Sequence, residues 1–251
     1  MTRLLDRLPA RWQADRLLRE EATRWADAGF SGDERGVLVR VETPRGVVLR
    51  GAGDPQVVSG LVALAAAGAT APAAWMSVPR GTVVEADVLA GLGLAPFSQW
   101  DWLSTDAESF PAPAADERVV VLDPSGDAAD IRACLAEANP QTSADPEGPD
   151  ERAWLGARDG AGALIAVIGA AGRATPDGEV RHLHGLGVRP DARTAGLGLA
   201  LTAAATAAGL EAGAPWVSLG MYEDNVGARR IYHRLGFAIG ERFSSYGPAA
   251  G

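Results

Sequence analysis

Between Val180 and Tyr222 the chain reads VRHLHGLGVRPDARTAGLGLALTAAATAAGLEAGAPWVSLGMY. A strand-like run stops at Val188-Arg189-Pro190, because proline has no N–H for a ladder and restricts the residue before it. A glycine-rich turn then opens an alanine-rich helix, and a second strand-like run begins at Trp216. Strand, turn, helix and strand in direct succession require a sheet with a helix packed on it.

The rest of the chain extends this pattern. Residues 1 to about 29 predict one or two amphipathic helices, with Leu4, Leu5, Leu8 and Trp12 at helical spacing. GVLVRVETPRGVVLRG reads as a hairpin, followed by a helix (VVSGLVALAAAG), a strand (AWMSVP), a helix (VVEADVLAGLG) and a strand (SQWDWLS). STDAESFPAPAADE has the composition of a linker. A second series then runs ERVVVLD, DAADIRACLAEAN, an acidic loop, ERAWLGARD, ALIAVIGAA, VRHLHGLGV, the alanine-rich helix, WVSLGMY, VGARRIYHRLG and FAIGERFSSY. Strands alternating with helices after a hairpin predict an α/β or α+β fold with a mixed sheet. LGLAPFSQWDWL closes the first series and LGFAIGERFSSY the second, which suggests duplication of one unit.

Composition narrows the function classes. The chain has no lysine, so it has no Walker phosphate loop. A net charge of −9 argues against a nucleic-acid surface. One cysteine, Cys134, allows no internal disulfide and no Cys-rich metal site, and no metal is expected. The N-terminus lacks an apolar signal core. The uncharged run from Pro55 to Pro79 is broken by Gly and Pro and reads as helix, turn and strand, not as a membrane span. A cytoplasmic protein without a membrane partner is the expectation.

Three stretches carry chemistry. In Arg193-Thr194-Ala195-Gly196-Leu197-Gly198 the glycines let backbone approach a ligand, and the free N–H groups of a helix start suit a pyrophosphate. Arg193 adds a charge. A dinucleotide fingerprint fits poorly, because Gly185-Leu186-Gly187 runs into Pro190 and no ribose-binding acid follows at the right place. In DNVGARRIYHRLGF, Asp224 or Asn225 caps a helix on which Asn225, Ala228 and Tyr232 share a face, and Gly236 ends it. His182 and His184 point to one face of their strand, with Leu183 opposite. An alkylammonium must lose a proton before it can act as a nucleophile, and imidazole, with an ordinary pKa of about 6.5, is suited to accept it.

Taken together these residues resemble the GNAT superfamily of acyl-CoA N-acyltransferases. That signature is a strand ending Leu-x-Val-x-Pro, then Arg/Gln-x-x-Gly-x-Gly/Ala opening a helix, then Asn-x-x-Ala-x-x-x-Tyr-x-x-x-Gly-Phe. Here the elements stand as Leu186 to Pro190, Arg193 to Gly198, and Asn225 to Phe237. The resemblance covers about residues 117 to 246. It implies a mixed, mostly antiparallel sheet flanked by helices, with acetyl-CoA as co-substrate. It further implies that backbone groups of Leu186, Gly187 and Val188 hold the pantetheine arm and polarise the acetyl carbonyl. Backbone N–H groups across Thr194, Ala195, Gly196, Leu197, Gly198 and Leu199 would bind the pyrophosphate. Asn225 would contact pantetheine, and Tyr232 would protonate the departing thiolate, with His184 and His182 as candidate bases. One departure stands out: the position five residues before the Asn, where many members carry a Glu base, is Gly220. The base is then a histidine, Glu223, Tyr222 or a water, with Asp224 as a cap.

The first half lacks both signatures, so the domains expected are residues 1–110, a smaller, degenerate GNAT-like unit, and 116–251, the catalytic GNAT domain. Trp100 and Trp102 alternate on one strand face, either walling an acceptor site or filling a core. The acidic loop with Asp145, Glu147, Asp150 and Glu151 either draws a cationic amine or is simply solvated. The reading is an acetyl-CoA-dependent N-acetyltransferase that acts on a small-molecule amine or a peptide. Its alternative is a non-catalytic acyl-CoA-binding regulatory module. The oligomeric state stays open.

Overall fold

The computed structural model describes residues 4–25, 27–193 and 195–249. They fall into two compact units, residues 1–102 with 239–251, and residues 103–238.

In the first unit, three short helices replace the expected one or two: α1 (Leu4–Arg7), α2 (Ala10–Gln13) and α3 (Arg16–Ala22). Pro9 cannot continue α1, and the Asp15 carboxylate accepts the Leu18 N–H at 2.8 Å to start α3 afresh. Strands β1 (Gly29–Gly32), β2 (Gly36–Thr43) and β3 (Gly46–Gly53) are antiparallel. Helix α4 (Pro55–Ala67) crosses over to β4 (Ala73–Pro79), which lies parallel to β3. Helix α5 (Ala86–Leu92) leads into β5 (Leu94–Thr105). The last strand of the chain, β11 (Ala238–Pro248), pairs antiparallel with β4, Ser245 opposite Ser77. The strand order in this unit is β1-β2-β3-β4-β11-β5. Trp102 is buried in a cluster with Leu17 and Phe243, while Trp100 stacks on Phe243 and donates its Nε1–H to Ser245 Oγ. Both tryptophans therefore fill a core.

The second unit holds β6 (Val120–Leu122), α6 (Ala128–Ala138), β7 (Glu151–Arg158), β8 (Leu164–Thr175), β9 (Gly178–Val188), α7 (Leu197–Glu211), β10 (Val217–Tyr222) and α8 (Val226–Arg234). Its order is β10-β9-β8-β7-β6. The pairs are antiparallel except β9 with β10, which are parallel because α7 carries the chain across between them. The fold class is thus the mixed, mostly antiparallel sheet with helices that was expected. Each unit contains a hairpin, then a helix crossing over between two parallel strands. None of the described helices is long and apolar enough to cross a membrane.

The unit boundaries differ from the sequence expectation of 1–110 and 116–251. Residues 239–251 belong to the first unit, since β11 completes its ladder there. Residues 103–110 belong to the second, where Gly236 at φ +78° lets the backbone pass the Ser109 carbonyl with no room for a side chain.

Candidate functional site

The site is built on β9, which is bulged. Gly187 pairs with Val167 and His184 with Gly169, so three steps along β9 oppose two along β8. The extra residue falls at Gly185-Leu186, where Gly185 adopts φ +61°. A side chain there would be strained and would meet Ala144 Cβ at 2.9 Å. On its other edge β9 pairs with β10 at Arg181, His182 and Leu183, opposite Val217, Ser218 and Leu219. Both strands run on, to Val188 and Tyr222, beyond the described ladder. The Leu186 carbonyl accepts the Asn139 side-chain N–H at 3.2 Å, which fixes that peptide plane next to Gly187. Leu186 and Val188 are half-buried and Gly187 is buried against Ala138 of α6.

Helix α7 begins beyond this strand end. Its N-cap is Gly196 at φ +79°, and no side chain caps its first N–H groups. A Cβ on Gly196 would meet nothing within 4 Å, whereas one on Gly198 would touch Ile231 Cδ1 of α8 at 3.4 Å and Val188 Cγ2 of β9 at 3.9 Å. The strand end, the helix start and α8 therefore converge at Gly198. Ala195 and Gly196 are exposed, Leu197 is buried as the anchor, and Leu199 is half-buried. Thr194 lies outside the described residues. Arg193 turns back to the Val188 carbonyl (Nε, 3.3 Å) and the Ala138 carbonyl (Nη2, 3.5 Å), bracing α6 against β9. Arg118 reaches the Ala195 carbonyl at 3.0 Å and is anchored by Asp116 at 2.6 Å, a cation beside the glycine turn that no sequence pattern announced.

Helix α8 is capped by Asn225, whose Oδ1 accepts the Ala228 N–H at 3.0 Å. Asp224, expected as a cap, accepts the Val226 N–H with its backbone carbonyl, and the side-chain cap is Asn225. Tyr232 is 7% exposed, packed against Phe237, and burial pushes its phenol up to about 12. Gly220, Tyr222 and Glu223 are exposed near the end of β10.

The two histidines have different partners. His182 Nδ1 lies 2.9 Å from Ser218 Oγ of β10. His184 Nε2 lies 3.0 Å from Glu151 Oε1 at the start of β7, and its ring meets Trp154 edge-on at 5.5 Å. Gly169, between them on β8, makes room: a Cβ there would sit 2.7 Å from His184 Cε1 and 2.8 Å from Trp154 Cζ2. Sequence reasoning had Glu151 only as one acid of a loop, and did not single out Trp154, Asn139 or Gly169. The one available signal was a lone glycine in a strand pattern, which marks bulges and close approaches.

Residues 123–237 match the family described as Acetyltransferase (GNAT) family. Residues 123–237 thus form a domain of the GNAT family. The match lies wholly within the second compact unit and stops before β11. The chain is similar to a mycothiol acetyltransferase of Nocardiopsis dassonvillei, 41% identical over 78 residues, which is 31% of this chain and 24% of that relative. The chain thus spans about a quarter of that curated relative. Among solved structures it resembles a GCN5-related N-acetyltransferase from Kribbella flavida, with TM-score 0.59, 20% identity and 97% coverage of each chain. A GCN5-related N-acetyltransferase from Sphaerobacter thermophilus gives TM-score 0.58 and 19% identity over 90% of this chain and 84% of that one. At these identities the likeness is one of fold, and it extends over the GNAT domain and the unit that precedes it.

Proposed function

We propose that the GNAT domain transfers an acetyl group from acetyl-CoA to a primary amine by direct attack in a ternary complex. The observation that carries this is the β9 bulge. Gly185 at positive φ takes Leu186 out of register, and β9 runs on past its ladder with β10. Backbone groups of Leu186, Gly187 and Val188 are then available to an extended pantetheine arm and to the thioester carbonyl oxygen. The uncapped start of α7, with Ala195, Gly196, Leu197, Gly198 and Leu199, fits a pyrophosphate, since its N–H groups and the helix dipole favour an anion. Thr194 would join this cradle. Arg193 acts by bracing β9, and Arg118 supplies positive charge at the same turn. Asn225 spends its Oδ1 on the α8 cap, which leaves its amide N–H for the pantetheine portion.

In the reaction the amine nitrogen forms a bond to the acetyl carbon and the carbon–sulfur bond breaks. The proton lost by the amine passes to His184, with His182 as its neighbour on the same strand face. The thiolate takes a proton from Tyr232, whose raised pKa keeps it protonated until that moment. Among its described residues the unit formed by residues 1–102 and 239–251 has no counterpart of the glycine turn, so it serves as a companion fold that does not bind CoA. The acceptor is a small-molecule amine or a peptide amine.

The test is release of CoA thiol from acetyl-CoA across a panel of primary amines. Turnover of at least one amine is expected. Saturable acetyl-CoA binding with no turnover of any amine would replace this reading with a regulatory acyl-CoA-binding module.

A further inference from the structure

The acidic loop before β7 is sorted by partner. Asp145 and Glu147 both grip Arg132, at 2.6 and 2.5 Å, and Asp150 pairs with Arg173 at 2.9 Å. The neighbouring Arg152 is taken by Glu179 at 2.8 Å. Glu151 alone of these four acids faces an imidazole, with Oε1 3.0 Å from His184 Nε2. The Glu151 side chain is 11% exposed and that of His184 20%. The contact meets ion-pair distance without hydrogen-bond alignment, and His184 Nε2 and Glu151 Oε2 are both buried without a hydrogen-bond partner among the described residues. A small rotation of either side chain completes the bond, as is common in catalytic pairs before substrate arrives.

The walls around the pair leave one orientation open. Trp154, fully buried, stands edge-on to the imidazole, and His184 Cε1 lies over the bare backbone of Gly169. Nε2 is shut in against Glu151, so the exposed part of the His184 side chain lies away from Nε2. A neutral imidazole carries one N–H and one lone pair, and the partner of one nitrogen decides the role of the other.

Resting on the acetyl-transfer reading above, we infer that Glu151 is a positioning residue: its carboxylate accepts the His184 Nε2–H and leaves Nδ1 as the atom that takes the acceptor's proton. The acceptor arrives as a primary ammonium. One of its N–H protons moves to Nδ1, giving an imidazolium whose positive charge the Glu151 carboxylate stabilises. The freed lone pair then forms the nitrogen–carbon bond; as the carbon–sulfur bond breaks, Tyr232 protonates the thiolate and the second proton lost by the nitrogen returns to Tyr232 through water. The glutamate missing at Gly220 on β10 is thus replaced by a carboxylate on β7 that works through a histidine.

The experiment has two independent arms on the 251-residue chain. In the first, two-bond 1H–15N correlation spectra in mildly alkaline buffer report the His184 tautomer, assigned with His184→Gln. The wild type should show mainly Nε2–H, Glu151→Gln should retain it through the amide oxygen, and Glu151→Leu should shift it towards Nδ1–H. A wild type that is mainly Nδ1–H, or a tautomer unchanged in Glu151→Leu, overturns the proposal. In the second arm, Glu151→Leu should lower kcat for an amine roughly 10²-fold or more at unchanged KM for acetyl-CoA, and Glu151→Gln should recover part of that loss. Full turnover in Glu151→Leu overturns the proposal. Absence of amine turnover in the wild type overturns the acetyl-transfer reading instead, and the spectra still decide the pair. If Glu151→Leu fails to fold, the wild-type spectrum and the kcat of Glu151→Gln decide it: full turnover in Glu151→Gln, which keeps the acceptor oxygen but loses the charge, removes the imidazolium-stabilising role.

Discussion

His182 Nδ1 lies 2.9 Å from Ser218 Oγ across the parallel pair of β9 and β10, and Ser218 is fully buried. His182 is therefore tied to β10, whereas His184 faces Glu151 of β7. His182→Ala is expected to lower stability by about 1 kcal/mol, the usual worth of a hydrogen bond, and to reduce kcat less than His184→Ala does. Thermal melts and steady-state rates on the same preparations check this. A larger kcat loss in His182→Ala than in His184→Ala reverses the assignment of the base.

Tyr232→Phe keeps the packed ring and removes the hydroxyl. The expected result is a kcat drop of roughly 10²–10⁴-fold with acetyl-CoA affinity nearly unchanged. Because burial holds the phenol at about 12, the wild-type rate profile should carry no descending limb from Tyr232 through pH 10. Stability carries the matching sign: the unfolded chain loses this proton from pH about 10, the folded chain only near 12, so stability falls as pH rises through that window. Rates and melts across alkaline pH measure both.

Gly198→Asp places a carboxylate in the first turn of α7, beside Ile231 and Val188. The helix dipole tolerates it, but a bound pyrophosphate would be crowded and repelled. The dissociation constant for acetyl-CoA should rise by roughly tenfold or more. Gly196→Asp adds backbone strain at φ +79°, which costs on the order of 1 kcal/mol. Calorimetric titration of folded variants is the check, and unchanged affinity in both would remove the phosphate-binding role of α7.

Glu241 on β11 is pushed up to about 7, mainly by burial and further by Asp15, with Arg11 opposing. Its unfolded value is 4.5, so the folded chain holds this proton across a window where the unfolded chain has lost it. Stability from this group is complete below about 4.5 and is lost as pH rises to about 7. Glu241→Gln removes that dependence and should raise the melting temperature more at pH 8 than at pH 5. An equal shift at both values would show that Glu241 is not the source.

A fragment of residues 116–251 carries the whole family match but leaves β11 without β4 and exposes Phe243, which is fully buried in the intact chain. It should show lower cooperativity on melting and a greater tendency to associate through the open strand than the full chain. Circular dichroism melts and size-exclusion chromatography at several concentrations test this.

Much of the element order, the fold class and the glycine and capping motifs were legible in the sequence because their causes are local, while the short strand β1 was not expected. Pro190 ends a strand, Gly196 and Gly198 open a helix, Asn225 caps another, and His182 and His184 share a face by the two-residue period of a strand. The three helices of the N-terminal segment were also within local reach, through Pro9 and Asp15, but helical periodicity masked the breaks. What lay beyond local reach depends on which strands become neighbours. Glu151 and His184 are 33 positions apart in the chain, and only the β7-β8-β9 order, with Gly169 bare between Trp154 and His184, brings them together. The return of β11 to the first unit was likewise invisible, because a strand pattern records which face is apolar and nothing of the partner whose backbone groups will satisfy its own.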